Sequence, residues 1–206
     1  MYIFFFIWVL AIILIMPIYF LSVSHLQLQD KFGKEKGLVI AKIFGYVSGW
    51  GFFIFLFGIW LSSQPKFRIP FLEEKLISLP IINSSISVFH FIISAPIITI
   101  GAWFGIVGVM GTTIKVAETH KPEKVINTGI YSKIRHPQYF GAILSHFGIS
   151  LLLSAFFSLL ATPLVILLIY LISWKEEKEL VREFGKDYED FKKSVPMFIP
   201  KLKNSK

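Results

Sequence analysis

The sequence predicts an all-α integral membrane protein with about five transmembrane helices, a C-terminal helical hairpin and a cytoplasmic terminal helix. Three observations predict it. Hydrophobic residues make up 54% of the 206, with a mean hydropathy of +0.67. They fall in four uncharged blocks, at residues 2–21, 43–61, 86–110 and 138–174, which are longer than soluble cores use. Lys and Arg gather between the blocks on one predicted side.

The first three blocks are each near the ~20 residues that a spanning helix needs. The opening run lacks a basic n-region, and no small-residue cleavage site precedes "SVSHLQLQD", so it is read as a retained span and not a secretory signal. The fourth block holds 37 residues. As one helix it would run about 55 Å, well beyond a hydrocarbon core of ~30 Å, so it must fold back on itself. A turn near Ser154 to Ser158 divides it into two short spans, although no Gly or Pro marks that point.

Basic residues give the expected orientation. With the N-terminus outside, eighteen Lys and Arg fall on the inner side, against Lys66, Arg68 and Lys75 outside. The bias places the C-terminus in the cytoplasm. It also accounts for the net charge of +8 by attraction to anionic lipid, so no nucleic-acid partner is expected. With no cysteine, disulfides, thiolate metal sites and a cysteine nucleophile are excluded, and no metal is expected.

The loop "SSQPKFRIPFLEEKLISLPIINSS" reads as an external segment lying on the membrane surface. Gly45 with Gly49, and Gly101 with Gly105, have the small-xxx-small spacing that lets helices approach closely. His90 and His146 lie within spans, where a histidine satisfied by a neighbouring helix is commoner than a functional one.

The chemistry concentrates near the fourth block. "YSKIRHPQYFG" places Arg135, His136 and Pro137 where the chain re-enters the membrane. Anchoring explains part of it: Arg135 suits headgroups, Pro137 the first helical turn and Tyr139 the aromatic belt. After the block comes "WKEEKELVREFGKDYEDFKKSVPMFIPK". Glu179 and Arg182 make an i,i+3 pair of an ordinary solvated helix, but Glu176 and Glu177 sit within a turn of the membrane exit, where carboxylates need partners. A hairpin makes its two ends neighbours. Arg135, His136 and Tyr139 should then face Glu176 and Glu177 across one cavity, with aromatic faces from Tyr131, Tyr139 and Trp174. Such a cavity suits a zwitterion that also carries a sulfonium.

"VINTGIYSKIRHPQYFG" and "KEEKELVREFGKDYEDFKKSVPMFIP" resemble the isoprenylcysteine carboxyl methyltransferase and phospholipid methyltransferase superfamily of membrane enzymes. The resemblance runs over residues 125–201, through RHPxY, the EE pair, FGxxYxxF and VPxxxP in order. It implies an S-adenosylmethionine site formed by Lys124, Val125, Ile126, Tyr131, His136, Pro137, Gln138, Tyr139 and Glu176. It also implies in-line transfer of the methyl group to a lipophilic acceptor, with membrane lipid as the surrounding partner. Two positions depart from the family pattern. Glu123 stands where a His is frequent, with His120 out of register, and Ile172 stands where prenylcysteine enzymes carry an Arg. The second departure favours an amine headgroup or neutral nucleophile beside the carboxylate class. A protonated amine must lose a proton, and Glu177 is the expected base or steering group, with Arg135 as the headgroup contact.

The chain divides into a three-span region, 1–114, and a methyltransferase-like region, 115–206. Two other functions compete: an NADPH-dependent sterol-type reductase with a similar terminal pattern, and a non-catalytic scaffold whose basic helix binds anionic lipid. The orientation itself is testable because the chain has no native cysteine to interfere. An impermeant thiol reagent applied to sealed cells is expected to label Ser63→Cys and to leave Lys186→Cys untouched until the membrane is opened.

Overall fold

The computed structural model describes residues 2–68, 76–79, 84–112 and 124–200. Its helices are α1 (Ile3–Val23), α2 (His25–Phe32), α3 (Lys34–Leu61), α4 (Val88–Thr112), α5 (Pro137–Leu152), α6 (Phe156–Leu160), α7 (Thr162–Phe184) and α8 (Lys186–Ser194). A 3-10 turn covers Gly129–Ser132. The loop between α3 and α4 contains a feature that its composition did not announce. Strands β1 (Leu76–Leu79) and β2 (Ser84–Ser87) pair antiparallel, with Leu76 opposite Ser87 and Leu79 opposite Ser84. The stretches 69–75 and 80–83 of that loop lie outside the described residues, as do His120 and Glu123.

The fold is that of an all-α membrane protein. Helices α1, α3 and α4 are long and apolar enough to cross a membrane. α1 packs along α3, α4 packs along α5, and α7 touches both α1 and α5. The shared core includes Ile12, Ile59, Val165, Ile169 and Ile172, all almost wholly buried. Large apolar side chains also face outward, among them Phe4 at 62%, Trp50 at 65% and Met110 at 78% exposure, as a lipid-facing surface permits. The segment expected as a polar connection after α1 is itself helical. α2 lies so close to α3 that a Cβ on Gly37 would come within 2.4 Å of the Gln29 backbone.

Glycine governs the tightest helix pair. A Cβ on Gly141 of α5 would sit 2.5 Å from the Gly101 carbonyl oxygen and 2.7 Å from the Gly105 nitrogen of α4. Gly101 and Gly108 are equally confined by α5, by Ser145 and Gln138 respectively. The expected small-residue contact therefore exists at Gly101, with its partner glycine, Gly141, on α5, while a Cβ on Gly105 would meet open space. Gly49 likewise faces open space, so the spacing in α3 does not extend its contact to that residue.

The fourth block does fold back. α5 ends at Leu152, and the chain reverses through Leu153 to Ala155 before the short α6 leads into α7. Ser154 adopts a left-handed φ of 51°, a conformation usually left to glycine. Its neighbours hold it there. His90 Nδ1 lies 2.6 Å from Ser154 Oγ, the Ser154 carbonyl accepts from the Phe67 amide at 3.1 Å, and Lys66 Nζ donates to the Leu153 carbonyl at 2.7 Å. Gln64 Oε1 accepts from the Ser158 amide at 2.8 Å, and Trp60 Nε1 donates to His146 Nδ1 at 3.0 Å. Both intramembrane histidines thus serve this end of the molecule.

Because the α4–α5 contact is backbone against backbone, it cannot absorb a methyl group. Gly141→Ala is expected to cost about 1–3 kcal/mol in unfolding free energy measured in mixed micelles, while Gly49→Ala changes it little.

Candidate functional site

At the other end of α5, the RHP turn is set by its neighbours' backbones. His136 is the N-cap of α5 and Pro137 occupies its first turn, where the missing amide hydrogen costs nothing. The Arg135 amide donates to the Pro196 carbonyl at 2.9 Å, and the His136 amide donates to the Met197 carbonyl at 3.1 Å. The "VPMFIP" tail is therefore the strap that holds this turn. Gly185, at φ 55°, ends α7 in a conformation that side chains resist, and α8 follows directly. Tyr188, Phe191 and Val195 then pack against Leu180, Val181, Phe184 and Val125.

These elements line a half-open cavity of about 120 Å³. Of the nine residues expected to hold a cofactor, Lys124, Val125, Ile126, Tyr131, His136, Gln138, Tyr139 and Glu176 line it, and so does Arg135. Pro137 is buried at the helix start and does not. Tyr131 donates to the Gly108 carbonyl at 3.1 Å, and Gln138 Nε2 donates to Thr112 Oγ1 at 3.2 Å, so α4 supports this wall. Burial raises the Tyr131 phenol above its usual range and keeps it a neutral donor.

Glu176 and Glu177 diverge in surroundings. The Glu176 carboxylate accepts from Tyr139 and, at 3.2 Å, from Tyr19 of α1, whose phenol lies 2.7 Å from that of Tyr139. His136 stacks on Tyr139 at 5.6 Å, with its Nδ1 3.8 Å from Glu176 Oε2. Glu177 is 2% exposed and lies outside the cavity. Its Oε1 is 2.7 Å from Arg135 Nε and 3.1 Å from His136 Nε2, and its Oε2 is 3.2 Å from Lys192 Nζ. Burial alone would raise this carboxyl, but the hydrogen bonds and charges of His136 and Arg135 outweigh it and hold the group down at about 2.

Three of the expected residues have surroundings that the sequence did not show. Glu177 does not line the cavity, and so acidic a carboxylate is poorly suited to remove a proton near neutrality. Arg135 commits Nε to Glu177 and Nη1 to the carbonyls of Lys192 and Val195, so much of its donor capacity is spent inside the protein. Trp174 does not line the cavity; its ring lies under Lys178 Nζ, 3.6 Å from the centroid. The sequence reading also overlooked Tyr19, Thr112, Leu180, Phe184, Tyr188 and Phe191. The last three are the aromatic positions of FGxxYxxF, quoted as a motif but given no role. A hydroxyl-bearing Tyr19 within the apolar run of α1 was the available signal.

Among the described residues no group of three His, Cys, Asp or Glu is placed to hold a metal ion. A helical membrane protein with a polar, aromatic-walled cavity where its helices meet water is the class these features define. Residues 87–187 match the phospholipid methyltransferase family model. The chain is 35% identical over 95 residues to a protein-S-isoprenylcysteine O-methyltransferase of Schizosaccharomyces pombe, covering 42% of this chain and 37% of the relative. It is 32% identical over 90 residues to a protein of the same name from Xenopus laevis, covering 40% and 29% respectively. This part of the chain is thus similar to the phospholipid methyltransferase family and to isoprenylcysteine O-methyltransferases. The matches span about a third of the length of those relatives. No solved structure gives a significant match.

The ion cluster predicts an acid-labile fold. Glu177 has a folded pKa below its ordinary 4.5, so its contribution is complete above that value and is lost as pH falls towards about 2. Glu177→Gln is expected to cost about 3 kcal/mol at pH 7 and to flatten the acid dependence of stability in that window, read by thermal unfolding in detergent.

Proposed function

We propose that the protein transfers a methyl group from S-adenosylmethionine to a lipophilic acceptor at the cytoplasmic face of the membrane. The observation that carries this reading is the Glu176 wall. Two phenols gather at one of its oxygens, and its charge suits an ammonium or a pair of ribose hydroxyls. The aromatic faces of Tyr139, Phe184, Tyr188 and Phe191 suit a sulfonium and an adenine. The residues therefore fit the group that the family resemblance implies.

When bound, S-adenosylmethionine supplies an electrophilic methyl for in-line displacement, with S-adenosylhomocysteine leaving. The protein's part is alignment and exclusion of water, and alignment alone can supply several kcal/mol of rate enhancement. Lys124, Val125 and Ile126 line the cavity together with Leu180, Phe191, Gln138 and Tyr131. Glu177, in this reading, is a positioning residue: it locks Arg135 and His136 at the cavity floor. Residues 1–114 supply the frame and residues 115–206 most of the site, and the family match from 87 reaches into both.

The acceptor remains of two classes. The relatives are named for isoprenylcysteine, whose carboxylate needs no base, and the family model is named for phospholipids. Ile172, where an Arg would greet a carboxylate, is 2% exposed and belongs to the core, which favours the amine class. Calorimetry in nanodiscs is expected to show saturable S-adenosylhomocysteine binding that Glu176→Ala and His136→Ala each weaken at least tenfold while remaining folded. NADPH binding in its place would move the protein to the reductase class.

A further inference from the structure

Tyr19 stands apart from every other residue of the site. It belongs to α1, ahead of the segment that matches the family model, and it does not line the cavity. It is nevertheless 5% exposed, with its phenol oxygen 2.7 Å from that of Tyr139 and 3.2 Å from Glu176 Oε1. Packing against apolar neighbours would be served as well by phenylalanine, which α1 uses freely at Phe4, Phe5 and Phe6. A hydroxyl buried in a span is costly unless it is partnered, and Tyr139 and Glu176, which partner this one, are walls of the proposed cofactor cavity.

We propose that Tyr19 is a positioning residue for cofactor binding, acting through Tyr139 and Glu176. The hydrogen-bond arithmetic supports this. A carboxylate only accepts, and each phenol has one hydrogen to give. With Tyr139 donating to Glu176 Oε1, the Tyr19 hydrogen goes to the same oxygen or to the Tyr139 oxygen. Either choice polarises the Tyr139 bond or reinforces it, and both fix the rotamer of Glu176. Oε1 is thereby occupied and Oε2 is the oxygen nearer His136, so the carboxylate meets a ligand in one orientation. Without the Tyr19 hydroxyl, Tyr139 keeps its donor bond but loses the partner that orients it, and Glu176 regains rotational freedom. The cofactor wall is consequently incomplete without the first span.

The inference rests on the S-adenosylmethionine reading and is tested beside it on the full chain in nanodiscs. Tyr19→Phe is expected to weaken S-adenosylhomocysteine binding about tenfold, the scale of one hydrogen bond to a charged group. Ile12→Val, one buried methyl group removed from the core surface of α1, is the packing control and is expected to lower the melting temperature while leaving affinity unchanged. Affinity equal to wild type in Tyr19→Phe overturns the proposal, as does an equal loss in Ile12→Val. A Tyr19→Phe chain that does not fold while Ile12→Val does also overturns it, because the hydroxyl would then be serving the fold. Absence of binding by the wild type removes the cofactor reading itself, and is distinguishable from the other outcomes because it precedes any comparison of variants.

Discussion

A carboxylate taken out of water must be compensated, and Glu177 is the one on which this molecule turns. Its partners come from two other segments: Arg135 and His136 from the turn before α5, and Lys192 from α8. One desolvated charge therefore fastens the start of the hairpin, its return helix and the terminal helix to a common point. Consecutive residues on a helix project about 100° apart. With Glu177 directed into the ion cluster, Glu176 must point elsewhere, and it points at the cavity wall. The pair of acids thus divides its labour by helical geometry: one holds the scaffold, and the other presents its charge.

Three supports converge on the presented charge. Backbone strapping by Pro196 and Met197 sets the RHP turn, the glycine contact brings α4 against α5, and α1 arrives through a single phenol. None of these is strong by itself. Together they leave the Glu176 side chain little freedom, which is what recognition of a small charged ligand requires.

Much of this was legible in the residues. Charge-free length gave the spans, and the impossible length of the fourth block forced a reversal. The reversal then brought RHPQY against the EE pair, because the two ends of a hairpin must be neighbours. What could not be read has particular causes. The turn at Ser154 carries no glycine because contacts from His90, Lys66 and Phe67, distant in sequence, hold its left-handed backbone. Glu177 resembled a base because sequence shows two adjacent acids but not which of them meets the cations. Tyr19 was overlooked because a lone Tyr in an apolar run resembles an interfacial anchor until its partners, more than a hundred residues away, are known. The paired strands β1 and β2 were likewise hidden in a loop rich in Pro and charge.

The height of α5 has a bearing on the lipid itself. Its sixteen residues rise about 24 Å, several ångströms less than an average hydrocarbon core, and the clamped turn prevents it from extending. α1, α3 and α4 are long enough to match an unperturbed bilayer. A hydrophobic element this short favours a locally thinner bilayer beside the hairpin, on the flank that carries the cavity.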